Sequence, residues 1–141
     1  MQQLKQGDLF WGMDGSFVKQ VMDEAEKVTL TEGDMLFRQG DPAEHMYVLI
    51  KGRIKLTLED EKGSVIYVAD DAGQVIGWSA VLDRDKYSAS AKCSEDASML
   101  KFDKKNFLDK LSGVPESEAI LYKRLAKMLG DRLISLYPSM A

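Results

Sequence analysis

Residues 32–56 read Glu-Gly-Asp-Met-Leu-Phe-Arg-Gln-Gly-Asp-Pro-Ala-Glu-His-Met-Tyr-Val-Leu-Ile-Lys-Gly-Arg-Ile-Lys-Leu, in which short apolar runs alternate with glycine-containing turns. At the end of this stretch and just beyond it, Ile54, Leu56 and Leu58 alternate with polar residues, so one face of residues 53–59 is expected to meet solvent. Many short strands at close and even spacing are typical of an antiparallel sandwich, jelly roll or barrel. This stretch therefore predicts a β domain.

The same pattern extends in both directions from this stretch. It predicts strands over Lys27–Thr31, Met35–Gln39, His45–Ile50, Arg53–Glu59, Ser64–Ala69, Tyr87–Lys92 and Ser98–Phe102. Helical patterns flank the strands, one over residues 16–26 capped by Asp14, a short one capped by Asp103 and ending near Leu111, and a long one over 116–136. We predict one domain over residues 1–141 that is mainly β. An N-terminal helical segment (1–27) and C-terminal helices (103–141) flank an antiparallel jelly-roll β-roll (28–102).

Composition restricts the class of protein. A chain of 141 residues with 45% hydrophobic and 30% charged residues is an ordinary soluble domain, and no apolar run approaches a membrane span. A net charge of −4 argues against a nucleic-acid surface, which needs basic residues. The lone Cys93 cannot form an internal disulfide, which favours the cytoplasm. With His45 as its only histidine, the sequence predicts neither a metal centre nor an enzyme.

A second stretch, residues 73–91, contains Gly77-Trp78 at one end and Tyr87-Ser88 at the other. Together with residues 32–56 and the terminal helices, it resembles the cyclic-nucleotide-binding domain family, which includes the β-roll domains of catabolite activators and cAMP receptors. The alternative is an unrelated jelly roll such as a cupin. The resemblance implies a non-enzymatic regulatory or sensor module, with cAMP or cGMP as a possible ligand. The phosphate cassette that the resemblance implies would consist of Gly77, Trp78, Ser79, Ala80, Tyr87, Ser88 and Ala89.

The family's cassette has Gly-Glu where this chain has Gly77-Trp78, and Arg-Ser or Arg-Thr where it has Tyr87-Ser88. In the family the Glu accepts a hydrogen bond from the ribose and the Arg contacts the phosphate. Losing each charge-assisted contact costs about 1.5–3 kcal/mol, so two losses would move a micromolar affinity toward millimolar. Arg84 and Lys86 either supply the missing charge or lie in an exposed loop, and the exposed loop is the more common situation.

Three outcomes are compatible with these two replacements. The cassette binds a cyclic nucleotide weakly through backbone amides, Ser79 and Ser88. It binds a less charged or aromatic ligand stacked on Trp78 and Tyr87. Or Trp78 fills the pocket, which leaves a ligand-free structural, dimerisation or protein-interaction domain with a degenerate pocket.

The long C-terminal helix shows a regular apolar row with spacings of 4, 3, 4 and 3, formed by Tyr122, Ala126, Leu129, Leu133 and Leu136. This a/d pattern predicts a parallel homodimer seam, with a helix that caps the barrel as the alternative. In the family's transcription regulators a helix-turn-helix domain follows this helix. Only Pro138-Ser139-Met140-Ala141 follow Tyr137, too few residues for a recognition helix. We therefore expect a stand-alone module that signals through its last helix or a partner, without binding nucleic acid directly.

Overall fold

The computed structural model describes residues 9–10, 12–82, 84–135 and 137. The described chain is an antiparallel β-roll with flanking helices, which confirms the predicted fold class. The elements in chain order are α1 (Gly15–Glu24), β1 (Glu26–Leu30), β2 (Met35–Phe37), β3 (His45–Thr57), β4 (Val65–Ala69), β5 (Val75–Ile76), a 3-10 turn (Trp78–Ala80), β6 (Ser90–Asp103), α2 (Lys104–Ser112) and α3 (Pro115–Ser135).

The sheet is organised around its two long strands. Its strand order is β1-β6-β3-β4, with β2 added to β6 and β5 added to β3. The pairing of β3 with β6 runs from His45 opposite Asp103 to Thr57 opposite Ser90. Each of these strands corresponds to two strands in the sequence prediction, so the predicted breaks within them are wrong.

Gly52 explains why β3 does not end where a turn was predicted. Its φ is +104°, and the register with β6 shifts on both sides of it. A Cβ at this position would lie 2.5 Å from the Cα of Ala97, so only glycine permits the close approach. The residue forms a bulge that bends the strand without interrupting it.

The sheet separates two apolar clusters. Inside the roll lie the residues of the first cluster, among them Phe37, Tyr47, Leu49, Ile54, Tyr87 and Met99. Between the roll and the helices lies the second, which includes Phe10, Met46, Val48, Phe102, Phe107 and Leu121. Because side chains alternate along β3, Tyr47 faces the roll interior while Met46 and Val48 face the helices.

Polar caps and cross-links position the helices. Asp14 accepts a hydrogen bond from the Phe17 N–H (2.9 Å), and Asp103 accepts one from the Asn106 N–H (3.1 Å), as the N-cap predictions required. The buried hydroxyl of Ser117 accepts from the backbone N–H of Asp14 (2.9 Å). The segment before α1 is therefore tied directly to α3.

Within the described ranges, no helix combines the length and the apolar character that crossing a bilayer requires. Those same ranges contain no group of His, Cys, Asp and Glu side chains arranged to hold a metal ion.

Candidate ligand-binding cassette

The cassette begins where β5 ends. β5 was not among the predicted strands because two residues are too few to show a period, yet pairing of Val75 and Ile76 with β3 fixes the start of the cassette. Gly77 follows with a φ of +79° and precedes the 3-10 turn. A Cβ on Gly77 would lie 3.1 Å from the His45 carbonyl oxygen and 3.2 Å from the Tyr87 Cε1. The backbone of Gly77 is thus packed directly against the side chain of Tyr87.

Tyr87 is a core residue of the roll. Its side chain is 5% exposed, and its ring stacks on Phe37 with 3.7 Å between centroids and an angle of 10° between planes. The hydroxyl donates to the His45 carbonyl (2.6 Å) and accepts from the His45 N–H (3.2 Å). Burial raises the pKa of Tyr87 well above that of a free tyrosine, despite the hydrogen bond to the carbonyl. At the position that the resemblance assigns to the family's arginine, this chain has a neutral, packed ring.

Trp78 faces the opposite way. It is half-buried and packs against the cluster between the roll and the helices. The guanidinium carbon of Arg132, on α3, lies 5.9 Å from its ring centroid and 3.7 Å from that of Tyr67 on β4. Trp78 therefore contacts the C-terminal helix rather than the interior of the roll.

The small residues of the cassette lie between these aromatic groups. Ser79, Ala80 and Ala89 are buried, whereas Ser88 is exposed. The hydroxyl oxygens of Ser79 and Ser88 are 3.5 Å apart, so the structure brings together the two polar side chains expected to face a phosphate. The predicted cassette thus places two hydroxyl groups side by side at the 3-10 turn.

The cassette loop does not supply a replacement cation. Arg84 and Lys86 are both exposed. The backbone of Arg84 is held in place, because its N–H donates to the Ser79 carbonyl (3.2 Å) and its carbonyl accepts from the Lys104 ammonium (3.3 Å). Of the two readings of this loop, the geometry supports the exposed one.

The predicted seam on α3 lies on the outside of the domain. Tyr122 is 40% and Leu133 is 54% exposed, Ala126 is exposed, and Leu129 is half-buried. Leu136 lies outside the described residues.

A second row on the same helix, displaced by one residue, faces the domain. It is formed by Leu121, Leu125, Met128 and Arg132. Neither this row nor Arg132 was predicted from the sequence, although the spacing of the row, 4, 3 and 4, is as regular as that of the seam. An arginine in an otherwise apolar row was the signal that could have identified it.

Comparisons with known proteins agree with this architecture. The family model of the cyclic nucleotide-binding domain matches residues 27–113. The N-terminal domain of a transcriptional regulator from Streptomyces coelicolor A3(2) is 25% identical, with a TM-score of 0.71 over 87% of this chain and 89% of that one. The catabolite activator protein of Thermus thermophilus is 23% identical, with a TM-score of 0.73 over 94% of this chain and 61% of that one, which shows the fold alone.

A channel protein also matches. The human cyclic nucleotide-gated channel beta-3 is 27% identical over 128 residues, which is 89% of this chain and 16% of the channel. The chain thus spans a small part of that relative's length, and the similarity concerns one domain of it.

Proposed function

The chain belongs to the cyclic-nucleotide-binding domain family, and on that premise we propose that it is a non-enzymatic regulatory module with a divergent phosphate cassette. Domains of this family are regulatory and generally non-enzymatic. Its cassette has exchanged two charged anchors for aromatic packing, so that it binds cyclic nucleotides only weakly. The observation that carries the proposal is Tyr87, which is buried, stacked on Phe37 and hydrogen-bonded twice to His45.

The affinity follows from the missing contacts. A cyclic phosphate in this cassette would meet the amides of the 3-10 turn and the hydroxyls of Ser79 and Ser88, without a guanidinium. A ribose would meet no carboxylate at position 78. A micromolar affinity that loses both contacts, at about 1.5–3 kcal/mol for each charge-assisted hydrogen bond, becomes a Kd in the millimolar range.

Calorimetric titration with cAMP and cGMP tests the proposal. We expect a Kd near millimolar for the natural chain, and binding at least about tenfold tighter for Trp78→Glu/Tyr87→Arg, which restores both charges. The matched control Trp78→Gln/Tyr87→Arg keeps the size of the first substitution without its charge, and should recover only the phosphate part of the gain. Micromolar binding by the natural chain would contradict the proposal.

A second candidate function is a ligand-free interaction or dimerisation domain. It is favoured by the same Tyr87 ring, which packs against Gly77 at the entrance of the cassette. It predicts that neither nucleotide, at millimolar concentration, produces heat or raises the melting temperature. The wild-type arm of the titration therefore separates the two candidates.

The proposed output element is α3, acting in a homodimer. Four of the large hydrophobic side chains that are exposed in the described chain lie on or just after this helix, namely Tyr122, Leu133, Ile134 and Tyr137. Tyr122 and Leu133 belong to the predicted seam. Exposed apolar side chains are unfavourable, and pairing with a second copy of the helix would cover them. The free, buried thiol of Cys93 supports a cytoplasmic location, and the net charge of −4 favours a protein partner over nucleic acid.

Sedimentation equilibrium tests the dimer. The variant Leu133→Gln should shift the mass toward the monomer, because it places an amide in the seam. Lys127→Gln changes an exposed residue of the same half of the helix outside the seam and should leave the mass unchanged. A monomeric natural chain at high concentration would overturn this part of the proposal.

A further inference from the structure

The helix α3 is held to the domain in two different ways along its length. In its first half Ser117, Leu121 and Leu125 are buried. Beyond Leu125 no described residue of the helix is fully buried, and Leu133 and Ile134 are 54% and 57% exposed. Apolar burial therefore explains the docking of the first half but not of the second.

Arg132, together with Met128, holds the second half to the domain. Its guanidinium carbon lies 3.7 Å from the ring centroid of Tyr67 and 5.9 Å from that of Trp78. One of its terminal nitrogens, Nη2, donates to the Met128 sulfur (3.7 Å). A cation over an aromatic face is attracted by the ring quadrupole, and the attraction grows when water is excluded.

The guanidinium lacks the partner that such a group usually has. No ion pair among the described residues includes Arg132, and its buried Nε has no hydrogen-bond partner among them. Asp131, next to it, pairs with Lys127 instead (3.1 Å). Two aromatic side chains and the Met128 sulfur are thus the contacts of this cation.

Both rings lie on the stretch that runs from β4 through β5 to the 3-10 turn, where the cassette begins. The Tyr67 hydroxyl accepts from the Gln74 amide (2.8 Å), whose oxygen accepts from the N–H groups of Asp70 and Asp71 (2.9 Å each). Tyr67 is therefore fixed to the turn that leads into β5. Trp78 stands at the other end of β5, at the start of the 3-10 turn.

We propose that Arg132 is a latch that couples the C-terminal half of α3 to the cassette through Tyr67 and Trp78. Displacement of Trp78 by a ligand or partner weakens the hold on α3, and movement of α3 releases Trp78. The inference rests on the proposed function only for the direction in which a signal travels. The coupling itself is a property of the chain without ligand.

Amide hydrogen exchange, followed by NMR without nucleotide, tests the latch. Arg132→Ala should raise the exchange rates of residues 128–134 about three- to tenfold, the factor expected for a partly desolvated cation–π contact. Alanine is the best helix former, so lower helix propensity cannot produce this increase. Lys127→Ala, at an exposed position on the same half, should leave the exchange rates of residues 128–134 nearly unchanged.

Non-additivity of substitutions at Trp78 and Arg132 distinguishes a latch from a helix that is merely anchored. Trp78→Leu should speed exchange in residues 128–134 about twofold or more when Arg132 is present, and should have no further effect in the Arg132→Ala background. Unchanged exchange in Arg132→Ala overturns the proposal, and so does an equal or absent effect of Trp78→Leu in the two backgrounds. If Arg132→Ala fails to fold, Arg132→Lys replaces it, since lysine keeps the charge but lacks the planar group that stacks.

All samples are diluted until they have the same oligomeric state, so that exchange rates are compared between like species. Because no nucleotide is present, the result is independent of whether the cassette binds one. A failed latch would leave the titration above unaffected, and a failed titration would leave the latch intact.

Discussion

Replacing Tyr87 by phenylalanine removes one oxygen atom and leaves the ring stack in place. That oxygen donates to the His45 carbonyl (2.6 Å) and accepts from the His45 N–H (3.2 Å), in a partly buried position. A hydrogen bond contributes about 1 kcal/mol net, and a buried group left without a partner costs about 1–3 kcal/mol. Since the N–H and the carbonyl of His45 would both lose this partner, we expect Tyr87→Phe to lower the free energy of unfolding by about 2 kcal/mol.

Urea denaturation followed by circular dichroism measures the effect, with an unchanged slope against urea as the sign that only stability has changed. Tyr47→Phe is the matched control, because Tyr47 is also buried beside Phe37 but its hydroxyl has no hydrogen bond to the described residues. The control should change stability by less than about 0.5 kcal/mol. If the two variants are equally stable, the hydroxyl does not secure the cassette, and the stabilising role assigned to the two hydrogen bonds of Tyr87 is refuted.

Two further predictions concern the bulge and the buried phenols. Gly52→Ala should lower the free energy of unfolding by about 3 kcal/mol or more, since it combines a positive φ with a Cβ that would lie 2.5 Å from the backbone. The control Gly33→Ala, at a φ of +97° with open space around it, should lower it by about 1 kcal/mol in the same urea assay. Equal losses in the two variants would contradict the close approach at Gly52. Burial raises the pKa of both Tyr47 and Tyr87, so the unfolded chain releases these protons first, at about pH 10, and their contribution to stability is complete below that pH and lost above it. The urea concentration at the unfolding midpoint should therefore decrease as the pH is raised beyond about 10, and it should decrease less in Tyr87→Phe. An identical decrease in that variant would exclude Tyr87 as a source of the pH dependence.

Turn chemistry and alternation made the fold predictable. Both act locally, because a glycine at positive φ and a period of two residues need no information about distant parts of the chain. The same local reasoning failed at Gly52, where positive φ marks a bulge rather than a turn. It also failed at β5, which is a strand only because β3 offers it a partner.

The positions of the candidate site were predictable, but the roles of its residues were not. Gly77 to Ala80 and Tyr87 to Ala89 do lie together at one end of β5, as the resemblance implied. That Arg84 and Lys86 remain exposed followed the ordinary behaviour of charged loop residues. The contribution of Arg132 was missed because its two aromatic partners are distant in sequence and belong to different elements.

By itself, the sequence determined the β-roll with its flanking helices, whereas the cassette and its two lost charged anchors stay predictions. Only the tertiary structure decided that Tyr87 turns into the roll while Trp78 turns toward α3. The physical reason is that an aromatic ring gains similar free energy on either face of a sheet, so the neighbours that assemble around it determine its direction. Phe37 and the backbone of His45 hold one ring, and Arg132 attracts the other.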